Sequence, residues 1–328
     1  MKLNELLETF NTGENRWLIE NLIPMGEIVI LYAQTNQYKT FLSLKIALEV
    51  ATGSQELGAT ESGCVYMISS DTKEEDFLLR INGIHQAKYM NHDIGSSLDI
   101  DFDREFDLTD EYCERNVDEY PETGEQVHWT WESEGKFFNE EGFKLIIIDT
   151  LSQSIGGNSI NDDSAIRKSI RNLKKLIQGG NGKFSILVIA HASKKSPSKG
   201  IMGSSLQHND FPTVLKVKKT KSGLSLYREK IKCDAEGSSI PFTMRSTTVD
   251  NQKTLYADIG KEFLGFQAEI LRLYTNGFDK KEIKSETHKI YGGNYETHRV
   301  FTVSFNRYWR NLIKQGFIKE VKHETKGG

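Results

Sequence analysis

Residues 29–40 read Val29-Ile30-Leu31-Tyr32-Ala33-Gln34-Thr35-Asn36-Gln37-Tyr38-Lys39-Thr40, and Phe41-Leu42-Ser43-Leu44 follows. An apolar strand runs into a polar loop that closes on a Lys-Thr pair, and helical periodicity begins there. This is the layout of a phosphate-binding loop, G-x-x-x-x-G-K-[ST]. In such a loop backbone N–H groups wrap phosphates, the lysine meets the β and γ oxygens, and the hydroxyl holds Mg²⁺. Both glycines are replaced here, by Ala33 and Tyr38. A Lys-Thr pair alone is common, so the surrounding elements decide the reading.

Outward from the loop, strands and helices alternate. Gly26 to Ala33 is a nearly continuous apolar strand, and Phe41, Leu44, Ala47, Leu48 and Ala51 mark a helix that stops at Gly53. Cys64 to Ile68 reads as a second buried strand, followed by a helix from about Lys73 to Ile84. Leu145 to Asp149 is a third strand closed by Thr150, then a helix from about Asp163 to Gln178 and a fourth strand, Phe184 to Ala190. Buried strands separated by helices predict an α/β fold, a mostly parallel sheet flanked by helices. Ligands bind such sheets at the carboxyl ends of the strands. Lys39-Thr40, Asp71, Asp149 and His191 each follow or end one of the four strands, and that joint placement favours a nucleotide site.

The 328 residues suffice for one core and a small appendage. No apolar run approaches the roughly 18 residues of a membrane span, and Met1-Lys2-Leu3-Asn4-Glu5 lacks the apolar stretch of a signal peptide. A cytoplasmic protein with no membrane association is expected. Cys64, Cys113 and Cys233 are far apart, without a C-x-x-C pair, which argues against a zinc site and a disulfide frame. The net charge of −4 conceals segregation. Residues 99–141 hold about 16 acids against 3 bases, whereas 191–232 hold about 10 bases against 2 acids. Such a balance argues against nonspecific nucleic-acid binding by the whole surface but permits a basic channel.

The segment from about 86 to 142 reads as an acidic, partly irregular insertion, its end docked by Trp129, Trp131, Phe137 and Phe138. Thr213 to Lys218, Ser225 to Ile231 and Ile240 to Arg245 read as antiparallel strands appended to the sheet. The expected domains are an N-terminal segment 1–16 with a short helix, a core 17–246, a linker 247–260 and a small domain 261–323. In the last, helical segments from Phe263 to Tyr274, from Asp279, and from Thr297 to Lys314 precede an alternating Gly316-Phe317-Ile318-Lys319-Glu320-Val321. Three helices closed by a strand outline a winged helix, whose third helix, offering Arg299, Arg307, Arg310 and Lys314, would face DNA or a protein.

The set resembles the RecA-like ATPases related to the plasmid replicative helicase RepA and, more distantly, DnaB-type helicases. The resemblance runs from Trp17 to about Arg245. It is carried by Leu22-Ile23-Pro24-Met25-Gly26, Lys39-Thr40-Phe41-Leu42, Val65-Tyr66-Met67-Ile68, Ile146-Ile147-Ile148-Asp149-Thr150-Leu151, Val188-Ile189-Ala190-His191, Gly203-Ser204-Ser205 and Lys230-Ile231-Lys232. It implies ATP and Mg²⁺ as cofactors. Gln34, Thr35, Asn36, Gln37, Tyr38, Lys39, Thr40 and Phe41 would surround the phosphates, and Thr40 with Asp149 would hold the metal. Asp71 would take the place of the family's catalytic glutamate, one methylene shorter. His191 would be the sensor linking the γ-phosphate to a DNA-facing loop, Ser193 to Gln207, whose Lys194, Lys195 and Lys199 would meet phosphates in a pore. Lys230 and Lys232 would reach a neighbouring subunit's nucleotide as an arginine finger does, without arginine's planar fork.

The resemblance further implies single-stranded DNA as partner, a hexameric ring of identical subunits and contacts with other replication proteins. Three functions stay open: a replicative helicase of a phage or mobile element, a RecA-like recombination protein forming filaments, or an ATP-gated adaptor or helicase loader with little hydrolysis. Tyr38 and Asp71 bear on the last: Asp71 is shorter than glutamate, and if the position of Tyr38 needs positive φ, a bulky residue there costs on the order of 1 to 3 kcal/mol.

Overall fold

A computed structural model describes residues 17–102, 106–113, 129–192, 201, 210–220, 223–231, 239–259, 270, 273–274, 278–291, 301–302, 305–306 and 308–310. The chain divides into two compact units, Met1–Ile259 and Gly260–Gly328. In the first, β1 (Trp17–Ile19) and β2 (Ile23–Pro24) form a small antiparallel pair ahead of β3 (Ile28–Ala33). All six residues of β3 are buried, as expected for a β-branched, apolar strand covered on both faces. Helix α1 (Lys39–Thr52) follows, then β4 (Cys64–Ser69), α2 (Glu74–Ile84), β5 (Leu98–Asp101), α3 (Trp131–Glu140) and β6 (Phe143–Asp149). After these come α4 (Asp163–Gly179), β7 (Ser185–His191), β8 (Thr213–Thr220), β9 (Gly223–Ile231), β10 (Ser239–Val249) and β11 (Gln252–Ile259).

Nine strands make one sheet in the order β11-β10-β9-β8-β3-β7-β6-β4-β5. From β8 to β5 every pairing is parallel, with registers such as Ile30 beside Val188 and Ile68 beside Ile148. The mixed α/β sheet agrees with the expected RecA-like class. Alternation along the strands sends Val29, Leu31, Val65, Met67, Leu145 and Ile147 to the face covered by α1 and α2. Ile30, Tyr32, Ile146, Ile148, Ile186 and Val188 meet α3 and α4 on the other. Glycine is required where α3 and α4 touch: a Cβ on Gly135 would stand 2.0 Å from the Leu176 carbonyl oxygen.

Two expectations need correction. The acidic segment, expected to be a partly irregular insertion, also supplies a strand and a helix to the core. Its residues 98–101 extend the sheet as β5 beside β4, and Trp131 and Phe138 bury one face of α3, while residues 103–105 and 114–128 lie outside the described residues. The segment 247–260 is not a linker, because β10 continues through Val249 and turns at Asp250 and Asn251 into β11. Polarity misled there, since β10 and β11 form an outer hairpin whose solvent-facing side chains are polar. Its inner side is fixed: Ala257 and Ile259 join the core, and a Cβ on Gly83 of α2 would lie 2.2 Å from Thr254 Cγ2.

The second unit has its own core of Ile270, Leu273, Ile283, Phe301, Phe305, Tyr308 and Trp309. Its helix α5 (Lys280–Tyr291) starts at Asp279, whose Oδ1 accepts from the N–H groups of Lys281 (2.7 Å) and Glu282 (2.8 Å). Glu282 returns a carboxylate oxygen to the Asp279 N–H at 2.8 Å, completing a capping box. The expected N-terminal helix and the strand at 316–321 lie outside the described residues. No helix among the described residues is long and apolar enough to cross a membrane.

Candidate functional site

The phosphate-loop segment leaves the carboxyl end of β3, which lies between β7 and β8. Ala33 is still strand, so the first missing glycine demands no unusual backbone. Gln34 and Gln37 brace the turn reciprocally, through Gln34 N–H to Gln37 Oε1 (3.3 Å), Gln37 Nε2 to Gln34 Oε1 (3.2 Å) and Gln37 N–H to the Gln34 carbonyl (3.2 Å). Asn36 adopts φ 62° and Tyr38 φ 60°, ψ 29°, both left-handed. The second missing glycine therefore stood at a position that does require positive φ. Tyr38 caps α1 without a side-chain hydrogen bond. The first-turn N–H groups of α1 have no intrahelical acceptor and point toward where an anion would sit. Thr35 belongs to the same turn.

Lys39 is buried, and its ammonium donates to the carbonyls of Ala33 and Gln34 and to His191 Nδ1, each at 3.3 Å. Burial lowers its pKa, while the negative fields of Asp149 and Asp71 act the other way. Asp149 ends β6 fully buried and is hydrogen-bonded to the Thr40 side chain. Its pKa is pushed up to about 6, chiefly by desolvation, with the Thr40 bond opposing, Asp71 adding, and Lys39 and Arg80 opposing. Asp71 is exposed two residues beyond β4. His191 ends β7 in register with Ala33. The four strand ends thus bring Lys39, Thr40, Asp71, Asp149 and His191 into one electrostatic neighbourhood.

The donors fit a hard divalent ion. Asp149 Oδ2 is buried with no hydrogen-bond partner, and the Thr40 hydroxyl bonds the same carboxylate. Among the described residues no cluster of three His, Cys, Asp or Glu side chains could hold a metal unaided. One carboxylate and one hydroxyl are a donor set that suits Mg²⁺, which takes one or two protein oxygens and completes its octahedron with water and substrate phosphate.

Other expected residues stand elsewhere. Lys230 is paired with Val214, which is level with Ile30, so it lies down the sheet from the loop of its own chain, and its ammonium donates to the Phe211 carbonyl at 2.8 Å. Lys232, Lys194, Lys195, Lys199 and Arg307 lie outside the described residues. Arg310 is exposed on a helical stretch of the second unit. One member of the neighbourhood escaped sequence reasoning. Arg80 of α2 lays its guanidinium 5.0 Å from the centroid of the Phe41 ring, which the Tyr38 ring meets edge-on at 6.2 Å. The available signal was a single base on a helix that opens Glu74-Glu75-Asp76.

A strand, phosphate loop and helix, with a buried aspartate ending a strand two places along the same sheet, define a P-loop ATPase of the α/β class. The chain matches the AAA domain family model (AAA_25) over residues 5–197 and belongs to that family. No curated protein matches it significantly.

Proposed function

We propose that the protein binds ATP with Mg²⁺ and hydrolyses it as a ring-forming motor on single-stranded DNA, a replicative helicase of a phage or mobile element. The observation that carries the reading is the convergence of Lys39, Thr40, Asp71, Asp149 and His191 at the carboxyl ends of β3, β4, β6 and β7. Family membership supports the ATPase part. The DNA part rests on the basic segment 191–232 and on the resemblance to replicative helicases.

In this reading the first-turn N–H groups of α1 and the Lys39 ammonium bind the β and γ phosphates. Thr40 and Asp149 hold Mg²⁺, which supplies charge neutralisation at the phosphate oxygens. Asp71, exposed at the mouth, orients the attacking water and receives its proton. His191 touches Lys39 directly and begins the segment assigned to DNA, so it reports phosphate occupancy to that segment. Lys230, too far down its own sheet to reach its own loop, serves a neighbouring subunit. The second unit contributes DNA or protein contacts as a winged helix.

Two observations favour an ATP-gated adaptor with little turnover instead. Tyr38 holds a left-handed conformation where glycine is usual, and Asp71 is shorter than glutamate. Phosphate release from ATP and Mg²⁺, with and without single-stranded DNA, separates the readings when wild type is compared with Lys39→Ala. DNA-stimulated release abolished by the substitution supports the motor. Binding without release leaves the adaptor.

A further inference from the structure

Ser69 Oγ, Asp149 Oδ2 and Trp309 Nε1 are buried side-chain atoms without a hydrogen-bond partner among the described residues. Two of them are neighbours. Ser69 ends β4 and Asp149 ends β6, and the two are register partners in the parallel ladder. Alternation from Val65 and Met67, and from Leu145 and Ile147, puts both side chains on the α1 face, where Thr40 meets Asp149. Ser69 is 2 % exposed, so bulk water does not satisfy its hydroxyl. A buried unpaired hydroxyl beside a buried unpaired carboxylate oxygen calls for a shared polar guest.

We propose that Ser69 is a positioning residue of the nucleotide site, holding through its hydroxyl a water of the Mg²⁺ shell that Asp149 and Thr40 anchor. The inference rests on the reading of the loop as an Mg²⁺-nucleotide site. Mg²⁺ gives up its waters reluctantly, so a site that offers one carboxylate and one hydroxyl must fix the remaining waters by outer contacts. Ser69 is the neighbour with a free hydroxyl on the correct face. The adjacent Ser70 is not equivalent. It is exposed, and its N–H continues the ladder by donating to the Asp149 carbonyl at 3.0 Å.

The test is Mg²⁺-dependent binding of a fluorescent, non-hydrolysable ATP analogue to the full chain, compared among wild type, Ser69→Ala, Ser69→Cys, Ser69→Thr and Ser70→Ala. Ser69→Ala and Ser69→Cys should raise the Mg²⁺ concentration for half-maximal tightening about ten-fold, with affinity in EDTA changed less than about two-fold. Ser69→Thr, which keeps the hydroxyl, and Ser70→Ala should titrate as wild type. Cysteine keeps the shape of serine with a somewhat larger, weakly hydrogen-bonding sulfur, so it carries the test if the alanine variant fails to fold. An unchanged Mg²⁺ midpoint in the alanine or cysteine variant overturns the inference and leaves the site reading intact. Equal weakening with and without Mg²⁺ also overturns it, since that is a packing effect. A wild type that shows no Mg²⁺-dependent binding overturns the site reading, and this inference with it.

Discussion

Lys39 Nζ lies 3.3 Å from His191 Nδ1, which joins the loop after β3 to the end of β7 through one hydrogen bond. An ammonium can only donate, so the ring accepts at Nδ1 and carries its proton on Nε2. In the proposed reading a phosphate bound by the lysine alters this contact, and His191 passes the change to the residues after it.

His191→Ala should therefore leave nucleotide affinity within about three-fold of wild type, because Lys39 keeps its carbonyl contacts, while DNA stimulation of phosphate release drops on the order of ten-fold. Paired binding and turnover assays check this. Equal loss of binding and stimulation would make His191 a simple support for Lys39.

Tyr38 at φ 60° carries a conformation that a glycine adopts without strain. A β-branched side chain tolerates it least. Tyr38→Val should destabilise the protein by about 1 to 2 kcal/mol. Tyr38→Gly should hold or raise the melting temperature, since relieved strain offsets the lost edge contact with Phe41 and the added chain entropy. Thermal melts in the absence of nucleotide give both numbers, and an unchanged Val variant would remove the strain argument.

The parallel core was legible because Ile28–Ala33, Leu145–Asp149 and Ser185–His191 are buried on both faces and so are almost uninterrupted in apolar residues. Strand ends then located Lys39, Thr40, Asp71, Asp149 and His191. Elements outside that core were harder to see. Strand β5, Leu98-Asp99-Ile100-Asp101, alternates with acids at the sheet edge and merges into an acidic run. The hairpin of β10 and β11 hides its pairing in polar residues, because its register lies in backbone hydrogen bonds. Arg80 and Ser69 reach the site only through the sheet register and the packing of α2, neither of which leaves a local pattern.

Asp149 is held fully buried with its pKa raised from 3.8 to about 6, chiefly by desolvation. A carboxyl group whose folded pKa is raised favours folding when protonated, so its contribution is complete below about pH 4 and is lost as pH rises through about 6. Above that pH the ionised group costs on the order of 2 to 3 kcal/mol in the nucleotide-free protein. Asp149→Asn keeps an acceptor for Thr40 without the charge. It should melt higher than wild type at pH 8, and the gap should close toward pH 4. The same variant should lose Mg²⁺-dependent tightening of nucleotide. A gap independent of pH would show that burial of this carboxylate is not the cause.

Helix α1 carries a second buried charge, and it tests how firmly the loop is founded. Lys45 and Glu49 are both 0 % exposed in their side chains and pair at 2.7 Å, with Glu56 also 2.7 Å from Lys45. Glu49 further accepts from the Tyr89 hydroxyl at 2.7 Å and the Glu56 N–H at 3.0 Å, so its lone pairs are well used. Lys88 continues the chain of charges from Glu56 to Asp258 of β11. Removing one partner from such a group leaves a buried charge uncompensated, and Lys45→Ala should cost about 3 to 5 kcal/mol in urea unfolding. The joint change Lys45→Met with Glu49→Leu removes both charges of the fully buried pair and should cost less than Lys45→Ala alone. If the double variant is the less stable, the network is a net source of stability that apolar packing cannot replace. In either case the loss should appear in unfolding before it appears in nucleotide affinity, because Lys45 stands more than one helical turn beyond Lys39 and faces the core.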